Sequence, residues 1–363
     1  MGIRVLITNN SPLLTAVIRA IVETQNGYDV IGTAANGVEA VAKLSTFRPD
    51  IVLMDIHMPV MGGVEATQYI MSVRPKTRIL ITTTSFARNM EHILEALQYG
   101  ALDYVSSPSL PYAPVAAVPP HQLRSSGAKL LAKMVAITCI SDEKIVDRQH
   151  KSPESIKERL GKHTAQRTSI GSNSLLAIGC STGGPATVAV LLSSLHKPFP
   201  IPIVVIQHLD AAFTSVFVSW LAEQTDLSVH LAKNSGQPQS GKVYVVPGGE
   251  VNLELTSSGR FKLTTPLEGQ SVFPNIDHMF FSMAKHLGNR SHAAVLTGMG
   301  EDGALGIAEI HKQGGHCLIQ DSKSSVIDSM PKASRREMAT DIGYSPKQMA
   351  MKFNEWVLVG ELK

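Results

Sequence analysis

Ala177-Ile178-Gly179-Cys180-Ser181-Thr182-Gly183-Gly184-Pro185 is the stretch from which the rest of the chain is read. An apolar run, Leu175 to Ile178, stops at a glycine, and a serine sits at the turn. Two further glycines and a proline then lead into a helix-like run, Ala186 to Leu195. The pattern predicts strand, tight turn and helix start, because glycine tolerates crowded backbone and proline suits the first turn of a helix. Such a turn lifts the Ser181 hydroxyl above a strand end, and Gly-Cys-Ser-Thr-Gly fits the G-x-S-x-G elbow of nucleophilic serines. The nonapeptide alone fits equally well a glycine-rich turn that holds a phosphate or merely packs closely.

Downstream, the strand-and-helix alternation continues. Ile201 to Ile206 reads as a buried strand ending in Gln207-His208, and Asp210 is expected to cap the helix that follows. Lys242 to Val246 is a strand closed by Pro247-Gly248-Gly249, and Val251 to Thr265 is a hairpin turning at Ser258-Gly259. Ile276 to Leu287 has helical spacing. His292 to Leu296 is a further buried strand, ending in Thr297-Gly298-Met299-Gly300-Glu301-Asp302-Gly303. His316 to Ile319 is one more strand, and helices are predicted from Pro331 and over Ser345 to Val359. The expected fold is a doubly wound parallel-sheet α/β domain over 174–363.

In such a sheet the strand ends gather on one rim, which brings together Ser181, His208 and Asp302. A hydroxyl, an imidazole and a carboxylate are the inventory of nucleophilic acyl transfer. Each has a plainer reading. The chain has 13 histidines, any of which can be a packing residue, and Asp302 can simply cap the helix that starts beside it. The order Ser, His, Asp also differs from the Ser, Asp, His order of α/β-hydrolases.

Upstream, short apolar runs alternate with amphipathic ones: strands at Ile3 to Ile7, Tyr28 to Gly32, Ile51 to Met54, Ile79 to Thr82 and Asp103 to Val105. Ser11 and Pro12 open the first helix, and Gln122 to Ile140 reads as a last one. That is a flavodoxin-like domain over 1–140, joined by a polar, charged linker over 141–173. Composition agrees: 363 residues suffice for two domains, and 44% hydrophobic with 17% charged residues is globular. A net charge of +3 is too small and scattered to argue for nucleic acid. The three cysteines have no metal-ligand spacing, no apolar stretch is long enough for a bilayer, and no secretory signal opens the chain, so a cytoplasmic protein without membrane insertion is expected.

Asp55-Ile56-His57-Met58-Pro59-Val60-Met61-Gly62-Gly63 resembles the phospho-acceptor loop of the receiver domain of bacterial response regulators, and the resemblance runs to Pro108 and the next helix. It implies that Asp55 is the phospho-acceptor and that Thr83 supplies the hydroxyl after the fourth strand. Two departures stand out. The family's acidic pair is here Asn9 and Asn10, and its lysine is Ser107. Neutral amides bind Mg²⁺ much less well than carboxylates, so weak Mg²⁺ binding and weak phosphorylation are expected.

Ile178 to Gly184, Gln207-His208, Pro247-Gly248 and Leu296 to Ala304 resemble the effector domain of the chemotaxis protein-glutamate methylesterases, with Gln320-Asp321 and Met330-Pro331 extending the match. The resemblance implies a Ser181–His208–Asp302 triad, an oxyanion hole of backbone N–H groups near Thr182 and Met299, and no cofactor for catalysis. It further implies methyl-ester hydrolysis and glutamine deamidation on the helical cytoplasmic part of chemoreceptors, with a histidine kinase or another chemotaxis protein as partner. The family's histidine after the Pro-Gly loop is here Asn252. A signalling scaffold of the same architecture with a weak catalytic domain is the alternative. A nucleotide site is disfavoured, since the Gly179 to Gly184 loop lacks the lysine that would hold a phosphate.

Overall fold

The computed structural model of the protein describes residues 2–110, 115–140, 174–266, 268–270 and 272–358. The chain divides into two compact units, Met1–Arg159 and Leu160–Lys363, and the expected linker over 141–173 lies outside the described residues.

In the first unit the apolar runs form five strands, β1 (Ile3–Thr8), β2 (Tyr28–Ala34), β3 (Ile51–Asp55), β4 (Arg78–Thr83) and β5 (Asp103–Ser106). All pair in parallel in the order β2-β1-β3-β4-β5, the flavodoxin-like order. Ile51 to Met54 are fully buried, as a strand covered on both faces must be. The helix Pro12–Glu23 starts where Ser11 Oγ accepts from Leu14 N at 3.3 Å, as expected. The expected single helix over Gln122 to Ile140 is instead two, Pro120–Ser126 and Ala128–Thr138, broken at Gly127. A Cβ on Gly127 would lie 2.2 Å from Ile21 Cγ2, so the break lets the chain pass close over the first helix.

The second unit holds β6 (Leu175–Cys180), β7 (Ile203–Gln207), β8 (Ser228–Leu231), β9 (Lys242–Val245), β10 (Asn252–Leu255), β11 (Phe261–Thr264), β12 (Ser291–Val295) and β13 (His316–Ile319). Six of these form a parallel sheet in the order β13-β12-β6-β7-β9-β8, while β10 and β11 make an antiparallel hairpin. The edge strand β8 was not anticipated, because its short run Ser228-Val229-His230-Leu231 has exposed ends and too little apolar character to stand out. The helix Ile276–Leu287 buries Ile276, Met279, Phe280 and Met283 in a core shared with Ala177, Val204, Ile206 and Val295. Each large side chain so buried contributes roughly 1.5–3 kcal/mol. Strand order reverses at β6: the chain first builds outward through β7 and later returns to pair β12 along the other edge. The crevice at the carboxyl end of that reversal is where open α/β sheets bind ligands. Among the described residues no helix is long and apolar enough to cross a membrane.

Candidate active site

Main-chain hydrogen bonds tie three strand ends together at the reversal. Ser181, the residue after β6, donates its N–H to Thr297 O at 3.0 Å, and His208, the residue after β7, donates its N–H to Cys180 O at 3.1 Å. Leu296, the residue after β12, donates to Gly179 O at 2.9 Å. The turn at Ser181 closes through Gly184 N to Ser181 O at 2.8 Å, with Gly183 in the left-handed region (φ 76). A side chain at Gly183 would also strike Val326, its Cβ falling 2.2 Å from Cγ2. The helix Gly184–Ser193 then starts with Pro185 in its first turn, as the sequence predicts.

His208 Nε2 lies 2.8 Å from Asp302 Oδ2, and the two side chains are only 12% and 8% exposed. Water therefore competes little for this bond. Asp302 does not cap the helix that follows it. That helix, Ala304–Lys312, begins after Gly303 with no cap from its own N-terminal residue. The carboxylate turns instead to the start of Ile276–Leu287, accepting from Ile276 N at 2.8 Å through Oδ2 and from Asp277 N at 3.0 Å through Oδ1. Asn275 Nδ2 donates to the same Oδ1 at 3.0 Å. A carboxylate facing a helix N-terminus is favoured by the macrodipole as well as by these bonds. Among the described residues no hydrogen bond joins the Ser181 hydroxyl to His208; Ser181 and His208 are linked through Cys180 and Gln207.

Gln207, buried and unassigned by sequence reasoning beyond its place in a motif, donates to Ser181 O at 2.9 Å and to His208 O at 3.1 Å. Its Oε1 accepts from Cys180 Sγ at 3.1 Å, and burial pushes the Cys180 thiol far up, so the cysteine beside Ser181 is no rival nucleophile. Thr297 and Gln320, both fully buried, brace the other side: Gln320 Oε1 accepts from Thr297 N at 2.7 Å, and Thr297 Oγ1 donates to Thr182 O at 2.9 Å. Polar side chains at the ends of otherwise apolar strands were the available signal for these supports. Thr182 is buried, whereas Met299 is 40% exposed. Gly298 N is engaged by Ile327 O at 2.9 Å, and the next N–H, that of Met299, makes no hydrogen bond among the described residues.

Asn252, which stands where the resembled family has a histidine, is fully buried. It donates to Gln270 Oε1 at 2.8 Å and accepts from Asn275 N at 2.9 Å, so it supports the residue that holds Asp302. Beyond Asp302 an open pocket of about 360 Å³ is lined by Gln270, Asn275, Asp277, Leu305 and Arg336.

The first unit brings its own polar set to the ends of β1, β3, β4 and β5. Asn9 Nδ2 donates to Asp55 Oδ2 at 3.1 Å, while Asn10 is exposed. Burial raises the Asp55 carboxyl above the usual carboxylate range, and the Ile56 and His57 N–H groups oppose the rise. Thr83 Oγ1 is taken up by Asn89 Nδ2 at 2.6 Å, and Asn89 Oδ1 meets His57 Nε2 at 2.5 Å. The Ser107 hydroxyl is buried without a hydrogen-bond partner among the described residues. These residues do not fit Mg²⁺: the pocket offers one carboxylate, and the group beside it is an amide nitrogen that donates where the ion needs an oxygen. Among the described residues no cluster of three His, Cys, Asp or Glu is arranged to hold a metal.

Comparison with known proteins agrees with this division. Residues 5–116 match the response regulator receiver domain, and residues 176–353 match the CheB methylesterase family. A protein-glutamate methylesterase/protein-glutamine glutaminase of Bordetella avium is 35% identical over 91% of this chain and 90% of its own length. Its counterpart of a group 3 operon in Pseudomonas putida is 34% identical over 91% and 92%. One from Hahella chejuensis is 31% identical over 97% of both chains. With a receiver domain ahead of an α/β domain whose strand ends gather Ser181, His208 and Asp302, the chain belongs to the CheB methylesterase family.

Proposed function

We propose that the protein hydrolyses γ-glutamyl methyl esters on the helical cytoplasmic part of chemoreceptors, in chemotaxis adaptation, with Ser181 as nucleophile. The observation that carries this reading is the hydrogen bond of 2.8 Å between His208 and Asp302, held at strand ends that main-chain bonds join to Ser181. Asp302 engages Nε2, which leaves His208 Nδ1 to take the serine proton. Ser181 Oγ attacks the ester carbonyl, and the oxyanion is met by the N–H groups of Thr182 and Met299. His208 returns the proton to the leaving methanol, then draws one from water as the water attacks the acyl-serine, and gives it to Ser181 Oγ as the acyl–oxygen bond breaks and the product acid leaves, ionising to the carboxylate. Glutamine deamidation follows the same course with ammonia as the leaving group; ammonia leaves less readily, so that reaction is slower.

Methanol release from methylated receptor tests the reading. Ser181→Ala and His208→Ala are each expected to lower kcat by several orders of magnitude, on the order of 10⁴- to 10⁶-fold, and the double variant little further. A Ser181→Ala protein with wild-type turnover would sink it.

For the receiver we infer that Mg²⁺-dependent phosphorylation of Asp55 is weak. A phosphoryl group there would meet Asn9, Asn10 and Ser107, none of which carries a charge to balance it. Control of the esterase then falls to a protein partner rather than to small phosphodonors.

A further inference from the structure

We propose that Asp277 is a positioning residue for Asp302, acting through an exchange of caps between two crossing helices. The proposal rests on reading Ser181, His208 and Asp302 as the catalytic set. Asp302 stands just ahead of the helix Ala304–Lys312 yet caps the other helix, accepting from Ile276 N at 2.8 Å and Asp277 N at 3.0 Å. Asp277 lies in the first turn of Ile276–Leu287 and returns the cap: its Oδ1 accepts from Gly306 N at 2.6 Å, and its carboxylate also faces the N–H groups of Gly303 and Leu305. Each helix start thus carries the acid that satisfies the orphan N–H groups of the other.

The two helices approach closely because Gly306 has no side chain. A Cβ there would lie 2.5 Å from Phe280 Cβ and 3.0 Å from Asp277 Oδ1. Gly303, the N-cap residue just before Ala304–Lys312, has φ 90 and no side chain to offer, so Asp277 fixes that helix end from outside. Asp302 is bonded directly to Gly303. Any slip of the helix start therefore moves the carboxylate that orients His208, and small displacements of reacting groups cost rate out of proportion to stability.

Full-length wild type, Asp277→Ala, Asp277→Asn and Ser181→Ala are compared for methanol release from methylated receptor. Rates are divided by the fraction of folded protein, read from circular dichroism on the same preparation, so that loss of folded protein does not count as loss of rate. Asp277→Ala is expected to lower kcat per folded protein by about 10- to 100-fold with KM within about twofold of wild type. Asp277→Asn keeps an oxygen that can accept from Gly306 and is expected to recover to within about threefold of wild type. Should the alanine protein not fold, Asp277→Glu, which displaces the carboxylate by one methylene, takes its place in the comparison. A displaced or deleted cap with kcat within about threefold of wild type, or an Asn variant no better than it, overturns the inference. Loss of turnover in Ser181→Ala would leave the catalytic reading standing even then; an active Ser181→Ala protein would remove both.

Discussion

Replacing Asp302 by asparagine exchanges one carboxylate oxygen for an NH₂ group, and the surroundings leave that group nowhere comfortable to go. Oδ2 accepts from His208 Nε2 and Ile276 N, both at 2.8 Å, and Oδ1 accepts from Asn275 Nδ2 and Asp277 N, both at 3.0 Å. Either orientation of the amide sets a donor against two donors. With NH₂ in the Oδ1 position the helix start and Asn275 both lose their acceptor. With NH₂ in the Oδ2 position His208 can respond by moving its proton to Nδ1, so that Nε2 accepts from the amide and only Ile276 N–H is left unpaired. This second arrangement orphans one buried donor rather than two and costs roughly 1–3 kcal/mol of stability. Its chemical consequence is worse, because Nδ1 now holds a proton and cannot take one from Ser181. The expected outcome is a folded protein with a slightly lower melting temperature and kcat reduced by about 10⁴-fold. Methanol release and thermal unfolding, measured on one preparation of wild type and Asp302→Asn, separate the two effects. A variant with kcat within about tenfold of wild type would show that Asp302 serves only the helix end and that His208 needs no acceptor to act.

Burial and the Asp302 charge push Asp277 up to about 6, so its ionised form is disfavoured on folding. That penalty is absent at pH 4 and appears as pH rises through 6, so Asp277→Asn should gain about 1–2 kcal/mol over wild type at pH 8 and nothing at pH 4, after allowance for solvent screening. Equal stability differences at both pH values, followed by denaturant unfolding, would contradict it. Val60 is 86% exposed with φ 70, a left-handed conformation that a β-branched residue resists, so Val60→Gly or Val60→Asn should raise the stability of the receiver by about 1 kcal/mol. An unchanged or lower melting temperature would refute that strain. Acetyl phosphate with Mg²⁺ should leave Asp55 unlabelled and the esterase unactivated, whereas the combined Asn9→Asp, Asn10→Asp and Ser107→Lys variant should be labelled. Robust labelling of the unaltered protein would show that the neutral pocket is no obstacle.

Most of the fold could be read from local pattern, because buried parallel strands are continuous apolar runs. Ile51 to Met54, Leu175 to Ile178 and His316 to Ile319 all stand as strands where the runs fall. The edge strand β8 escaped for the opposite reason, and the break at Gly127 depended on Ile21, more than a hundred residues earlier. The candidate site was legible as to residues but not as to bonds. The sequence reads Asp302 beside Ser181 and His208, with a cap of its own helix as the plainer alternative, and only tertiary structure turns it to Ile276 and Asp277. Asn252, where the resembled family has a histidine, is likewise held inside by Gln270 and Asn275. Pairing choices among buried polar groups depend on geometry that no periodicity encodes.

The reversal of strand order at β6 also bears on how the chain is made. His208 reaches Asp302 across 94 residues, and β6 has one edge without its neighbour until Ser291–Val295 has been synthesised. On the proposed mechanism, a nascent chain emerging from the ribosome carries Ser181 for some time without the Asp302 that would orient His208, and is expected to be hydrolytically silent. The same interval leaves an apolar edge, Leu175 to Ile178, open to pairing with any other strand. Protection from unwanted hydrolysis and exposure to aggregation during synthesis thus come from one feature of the topology, the late arrival of β12.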